Sequence, residues 1–162
     1  MLEMKLDLHT GFVAINNYPI ELNDVDTFKN STFYRFLSSL TTVGPFYFAI
    51  YNIKWKDQVF ILELRPSVFS FSPLIFLTSK GGSFYKTLVD WDKRASLNNL
   101  SDEQQRLISW VQNKITSSPK LKINNPPYGF QWDHDWGRIV VQSNKKSSIV
   151  VFISNGMFDY MM

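Results

Sequence analysis

Cysteine is absent from the 162 residues of this sequence. A disulfide framework, a thiolate zinc site and a thiol nucleophile are therefore excluded together, and packing alone must hold the fold. A chain without cysteine suits a reducing compartment, so the sequence favours the cytoplasm.

Long apolar runs are also missing. The longest apolar-rich stretch, residues 68–77, is too short to span a bilayer and is interrupted by Ser70, Ser72 and Pro73. Residues 1–10 alternate apolar and polar side chains and lack the basic start and continuous apolar run of a signal peptide. The sequence therefore predicts no membrane segment.

Strong local charge is the third missing feature. The net charge of +3 comes from 17 basic and 14 acidic residues scattered along the chain. The longest basic clusters are the pairs Lys93-Arg94 and Lys145-Lys146. A nucleic-acid binder usually concentrates positive charge on one stripe, so this distribution disfavours nucleic acid as a partner.

What the chain has is apolar and aromatic content. Hydrophobic residues make up 44% of it and aromatic residues 16%, with 14 Phe, 7 Tyr and 5 Trp. A chain of this length and composition can bury a sizeable core, and we expect a single domain over residues 1–162.

Alternating apolar residues and turn residues predict strands. Residues 12–15 and 18–22 read as a hairpin across Asn16-Asn17, because Asn tolerates the left-handed backbone of a tight turn. Further extended segments are predicted at residues 46–54, 59–64, 68–71, 74–78, 121–123, 137–142 and 148–154.

Three helices are predicted between these strands. One covers residues 32–40 and is ended by Gly44-Pro45, and one runs from Ser83 to about Arg94. The third begins at Ser101, whose spacing to Gln104 matches a capping box, and stops before Pro119. The order of elements predicts an α+β fold: a mainly antiparallel sheet with about three helices packed on one face.

The most unusual local sequence is Trp132-Asp133-His134-Asp135-Trp136. In an extended segment, alternation places His134 on the side opposite both aspartates, so this stretch alone does not form a metal site. The only other histidine is His9. His134 between two carboxylates could serve as a general base, but no nucleophile motif accompanies it.

The pair Gly81-Gly82 before a predicted helix suggests a phosphate loop, but it lacks the Walker spacing and its Lys-Ser/Thr ending. A plain turn is the simpler interpretation. We therefore predict no catalytic, metal or cofactor-binding residue.

Aromatic residues next to acids are typical of protein-binding surfaces. Tyr128, Phe130, Trp132 and Trp136 fit that pattern, and Asp133 and Asp135 would face a basic partner. Core packing is the competing interpretation for three of these four aromatic residues. The candidate partner contacts are Tyr128, Trp132, Asp133, His134, Asp135 and Trp136, with Asp90 and Asp92 as further contacts.

The same segment carries a family resemblance. The matching residues run from Asn125-Pro126-Pro127-Tyr128-Gly129-Phe130 through Trp132 to Gly137 and Val141. This stretch resembles a sequence pattern of small bacterial immunity proteins in polymorphic toxin and contact-dependent growth inhibition systems. The resemblance implies a cytoplasmic, non-catalytic protein that binds one cognate toxin domain, possibly a nuclease, and blocks its active site or its essential partner surface. Many inhibitors of basic nucleases are acidic, whereas this chain carries +3.

Two alternatives stay open. One is a small enzyme that uses His134 with Asp133 or Asp135, which requires a concave pocket beside His134. The other is a ligand-binding or nucleic-acid-binding module that stacks bases on exposed aromatic residues of the 132–136 segment.

Overall fold

The computed structural model describes residues 1–37, 39–69, 71–80, 97–126, 128–144 and 148–155, and for residues 97–101, 143–144 and 148–155 it gives the backbone. The strands of these ranges are β1 Leu2–Leu6, β2 Val13–Ile15, β3 Tyr18–Pro19, β4 Thr41–Gly44, β5 Tyr47–Trp55, β6 Gln58–Arg65, β7 Leu74–Ser79, β8 Lys120–Ile123, β9 Gly129–His134, β10 Gly137–Asn144 and β11 Ser148–Asn155. The helices are α1 Val25–Asn30, α2 Thr32–Phe36 and α3 Leu97–Trp110, which continues into a π-helical turn at Val111–Ile115.

The strands follow the order β3-β2-β1-β5-β6-β7-β11-β10-β9-β8, and β4 pairs with β5 beside β1. All the described pairings are antiparallel except the short parallel contact of β1 with β5. The prediction of an α+β fold with a mainly antiparallel sheet is confirmed.

One face of the sheet carries the core. The register places Phe48 opposite Leu64, Leu64 opposite Ile75, and Ile139 opposite Trp132, and all of these side chains are buried. Side chains directly opposite each other share a face, so the buried residues form rows across the sheet.

All three described helices pack on that face. The ring of Phe28 in α1 lies 4.8 Å from that of Phe48, and the ring of Tyr34 in α2 lies 5.7 Å from it. In α3, Trp110 meets Trp55 at 5.3 Å and Phe60 at 5.5 Å. The predicted stripe of the third helix is buried, at Leu107, Ile108, Val111 and Ile115.

A polar network fixes α3 over the ends of two strands. Arg106 donates to Gln58 Oε1 at 2.7 Å and to the hydroxyl of Ser79 at 2.6 Å, and it forms an ion pair with the buried Glu103. A buried carboxylate requires such partners because burial without them is costly. This network therefore sets the position of α3 along β6 and β7.

The turns agree with the sequence where turn chemistry is strong. Asn16 has φ 52° in the β2–β3 turn and Lys56 has φ 57° in the β5–β6 turn, both in the left-handed region. Asp24 caps α1 by accepting from the Thr27 amide at 2.8 Å, and this bond lowers the pKa of its carboxyl group.

Several predicted boundaries were wrong. The predicted helix at 32–40 ends at Phe36, and β4 follows, because β-branched Thr41, Thr42 and Val43 suit an extended backbone paired with β5. Ser101 does not cap the third helix, since α3 already includes Leu97. Val68 and Phe71, predicted within one strand, instead face each other in an isolated antiparallel bridge. The predicted helix from Ser83 to Arg94 lies outside the described residues.

Candidate partner-binding surface

The segment Trp132-Asp133-His134-Asp135-Trp136 lies in a β-hairpin. His134 pairs with Gly137, so Asp135 and Trp136 form a two-residue turn between β9 and β10. Gly137 has φ 151°, a backbone conformation that favours glycine. The hairpin fixes each side chain of the 132–136 segment on a definite side of the sheet.

Both tryptophans of this hairpin belong to the core. Trp132 is fully buried, and its indole N–H donates to Gln112 Oε1 at 3.2 Å. Trp136 is 8% exposed, and its indole N–H donates to the carbonyl of Leu8 at 2.8 Å. Of the two interpretations of these residues, core packing is therefore correct, and as partner contacts Trp132 and Trp136 are inaccessible.

His134 is half-buried and held by its neighbours. Its ring stacks on that of Trp136, with the centroids 4.9 Å apart and the planes 6° from parallel. Its Nε2 lies 3.4 Å from the hydroxyl of Thr116. Burial lowers the pKa of His134, although the charges of Asp133 and Asp135 act in the opposite direction. Burial therefore favours the neutral imidazole, and the ring packs against Trp136 at the hairpin turn.

The exposed remainder of the predicted surface consists of Tyr128, Asp133 and Asp135. Tyr128 is 60% exposed, and its backbone carbonyl accepts from Gln104. Asp133 Oδ1 accepts from the side-chain amide nitrogen of Gln131, Nε2, at 2.9 Å. These three side chains can meet a partner. Asp90 and Asp92 lie outside the described residues.

The described residues contain no group of three or more histidine, aspartate or glutamate side chains placed to hold a metal ion. A cavity of about 440 Å³ opens at the N-terminal strands, and Phe12, Ala14, Pro19, Ile20, Lys5 and Glu21 are among its lining residues. His134 is not among them. The pocket that an enzyme built on His134 requires is thus not this cavity.

A different surface carries Phe69, the most exposed aromatic residue of the described ranges. We call this surface the aromatic end: Phe46 of the β4–β5 turn, Tyr47 at the start of β5, and Phe69 and Phe71 of the turn between β6 and β7. Phe69 is 86% exposed and Phe71 55%, and the rings of Phe46 and Phe69 meet edge to face at 5.8 Å. The two turns therefore form one surface.

Phe69 has a strained backbone. Its φ of 53° lies in the left-handed region, where a bulky side chain is a genuine outlier. Such a conformation costs about 1–2 kcal/mol relative to the right-handed one and persists only where the surroundings impose it. The turn closed by the bond from the Phe71 amide to the Val68 carbonyl, at 2.9 Å, imposes it here. The result is an aromatic ring presented to solvent.

The segments that form this surface contain few charged residues. Residues 30–53 contain one charged residue, Arg35, which is exposed. The guanidinium of Arg65 lies 5.2 Å from the centre of the Phe71 ring and donates to the carbonyl of Ser72. The sequence reasoning missed this surface. Its signal was the alternation of Phe69, Ser70, Phe71 and Ser72, which resembles a strand until the turn is known.

In comparisons with known proteins, no family model, no curated protein and no solved structure matches the chain. Within the described ranges, no helix combines the length and the apolar character needed to cross a bilayer.

Proposed function

We propose that this chain is a non-catalytic binding protein of the immunity type, which holds one cognate toxin domain and blocks it. The observation that carries the proposal is Phe69, 86% exposed on a left-handed backbone at the aromatic end. The left-handed backbone of Phe69 costs stability, and its exposed ring adds little to the core. A partner that covers the ring best explains this arrangement.

The chemistry of the aromatic end supports a protein as the partner. Exposed aromatic rings and arginine are the side chains that dominate binding energy at protein interfaces. Phe69, Phe71 and Arg65 supply both types within one turn region. Tyr128, Asp133 and Asp135, the exposed members of the contact set predicted from the sequence, form a second contact region in this proposal.

The experiment is co-expression with the neighbouring open reading frame. We expect the two products to co-elute in size exclusion at equal stoichiometry, and we expect the neighbour to be toxic when it is expressed alone. Phe69→Ala should weaken the complex at least about tenfold, since truncating a central interface aromatic residue typically costs more than 1 kcal/mol.

Phe12→Ala is the matched control, because Phe12 is 73% exposed but lies at the N-terminal cavity. It should leave the complex unchanged. A neighbour that is harmless and does not co-elute would sink the proposal, and equal losses from Phe69→Ala and Phe12→Ala would remove the aromatic end from it.

The cavity at the N-terminal strands favours a second candidate function, the binding of a small ligand. Its volume of about 440 Å³ lies in the range of small-molecule sites. Ala14 pairs with Lys5 on one side and with Pro19 on the other. Its small side chain between these two larger ones leaves space at the floor of the cavity. Ala14→Phe should fill this floor. Ligand-induced changes in the NMR shifts of Val13 and Ile20, two lining residues that the variant keeps, should vanish in it if the second candidate is correct.

A further inference from the structure

Three strands of the described sheet, β3, β4 and β8, have one side that pairs with no other described strand. They differ in the features that prevent this open side from pairing with another chain. β3 is two residues long and ends in Pro19, which has no amide hydrogen to offer. β8 carries Lys120 and Lys122. Short length, proline and lysine are the usual means by which proteins prevent a sheet edge from pairing with another chain.

β4 has none of these features. Its residues Thr41, Thr42, Val43 and Gly44 include no charge and no proline. The first three are exposed, and Val43 is 46% exposed. β4 pairs with β5 on one side, and no strand in the described part of the chain pairs with its other side. Its outer backbone amides and carbonyls are therefore available to a further strand.

The open side of β4 adjoins the aromatic end. β4 runs into the turn that holds Phe46, whose ring contacts Phe69. At the other end, β4 begins five residues after Phe36, the last residue of α2, which is 70% exposed. A strand added to β4 would thus meet the exposed ring of Phe69 at the aromatic end.

We propose that β4 receives an extended strand of the partner protein, so that the partner adds a strand to this sheet. The inference rests on the proposed function and specifies how the partner is held. Backbone hydrogen bonds along β4 supply affinity that depends little on sequence, and the flanking Phe69 selects apolar side chains.

Charge complementarity defines the chemistry of that strand. Arg35 is the only charged residue of positions 30–53, and Arg65 lies beneath Phe71. The matching strand alternates apolar side chains with acidic ones. A second copy of this chain fits less well, because its β4 carries no acidic side chain that could pair with Arg65.

Two lysine substitutions test the proposal. Val43→Lys gives β4 an edge lysine like those that protect β8 from pairing with another chain. Leu121→Lys in β8 is the matched control, since the side chains of Val43 and Leu121 are 46% and 44% exposed. With the neighbouring gene product as the probe, Val43→Lys should weaken the complex at least about tenfold, and Leu121→Lys should leave it unchanged. Circular dichroism and thermal unfolding should be alike for both.

Amide hydrogen exchange gives a readout that only strand addition moves. In the complex, at least one amide among Thr41, Thr42 and Val43 should exchange about tenfold or more slowly than in the free chain, while Lys122 in β8 should not change. A complex that forms without this protection, or with it at β8, overturns the inference and leaves the proposed function standing. Protection of β4 in a homodimer of the free chain overturns it too. No complex at all defeats the proposed function itself.

Discussion

The indole N–H of Trp136 donates a hydrogen bond of 2.8 Å to the carbonyl oxygen of Leu8, 128 residues earlier in the chain. The turn that contains Leu8 also contains Gly11, whose φ is 78° and whose Cα faces the indole of Trp136 without a Cβ between them. The turn between β1 and β2 therefore packs on the turn of the β9–β10 hairpin, and the contact is made by the Trp136 ring and Gly11.

Gly11→Ala should be strongly destabilising. An added Cβ would overlap the ring of Trp136, and the backbone at φ 78° disfavours any L side chain. The two effects together should lower the free energy of unfolding by about 2–4 kcal/mol, measured by urea denaturation. Gly44→Ala is the control, because the nearest atoms to its added Cβ are 3.7 Å away. Equal losses in the two variants would contradict the docking role of Gly11.

His134 should make stability depend on pH between neutral and mildly acidic conditions. Its pKa in the fold is lowered from 6.5, mainly by burial, so the unfolded chain takes up a proton at higher pH than the folded chain does. Stability associated with this residue is complete above the unfolded pKa and is lost as pH falls toward the folded one. Thermal unfolding at pH 7.5 and pH 5.5 should therefore differ less in His134→Gln than in the wild type.

A titration by NMR checks the same prediction directly. The variant His9→Gln removes the other histidine of the sequence, so that the remaining ring signal reports His134 alone. Its midpoint should lie below the ordinary histidine pKa of about 6.5. A midpoint above that value would mean that Asp133 and Asp135 outweigh burial.

Trp132→Ala should act on stability. The side chain is fully buried and its indole is bonded to Gln112, so truncation leaves a large cavity and an unpaired amide oxygen. We expect a loss of about 3–5 kcal/mol. Tyr128→Ala, which removes a side chain that is 60% exposed, should change stability by less than about 0.5 kcal/mol. Chemical denaturation of both variants measures the difference, and a small loss for Trp132→Ala would contradict its core position.

Phe69→Gly should stabilise the free chain and weaken its complex. Glycine adopts a φ of 53° without a steric penalty, and the wild-type ring buries little that the fold would lose. The gain should be about 1 kcal/mol in thermal or urea unfolding, after the greater flexibility of glycine in the unfolded chain is included. A variant that is both less stable and an equally good binder would show that Phe69 serves the fold.

The sequence predicts the parts of this fold whose signals are local. The alternation of residues 46–54 and the left-handed tendency of Asn16 identify strands and a turn without knowledge of their neighbours. β4 and β9 were missed because pairing with β5 and β10 decides their conformation. The capping-box pattern at Ser101 failed because helix continuing from Leu97 already supplies the partners that a cap would satisfy.

The candidate surface was harder to predict for a physical reason. Composition marks Trp132, Trp136 and Phe69 alike as aromatic residues near turns, and only the packing separates two buried rings from one exposed ring. Burial of Trp136 depends on Leu8 and Gly11, which are remote in the sequence. The exposure of Phe69 depends on a φ of 53° that no residue type in the turn demands.

The position of β11 has a consequence for biosynthesis. It lies between β7 and β10 and joins the strands formed by residues 1–80 to those formed by residues 120–144. A ribosome makes residues 148–155 after all other strands of the sheet, so the nascent chain carries two half-sheets with open inner edges until then. Ribosomes stalled before Ser148 should hold a chain that is prone to aggregate and that chaperones recognise, although most of its strands are already present.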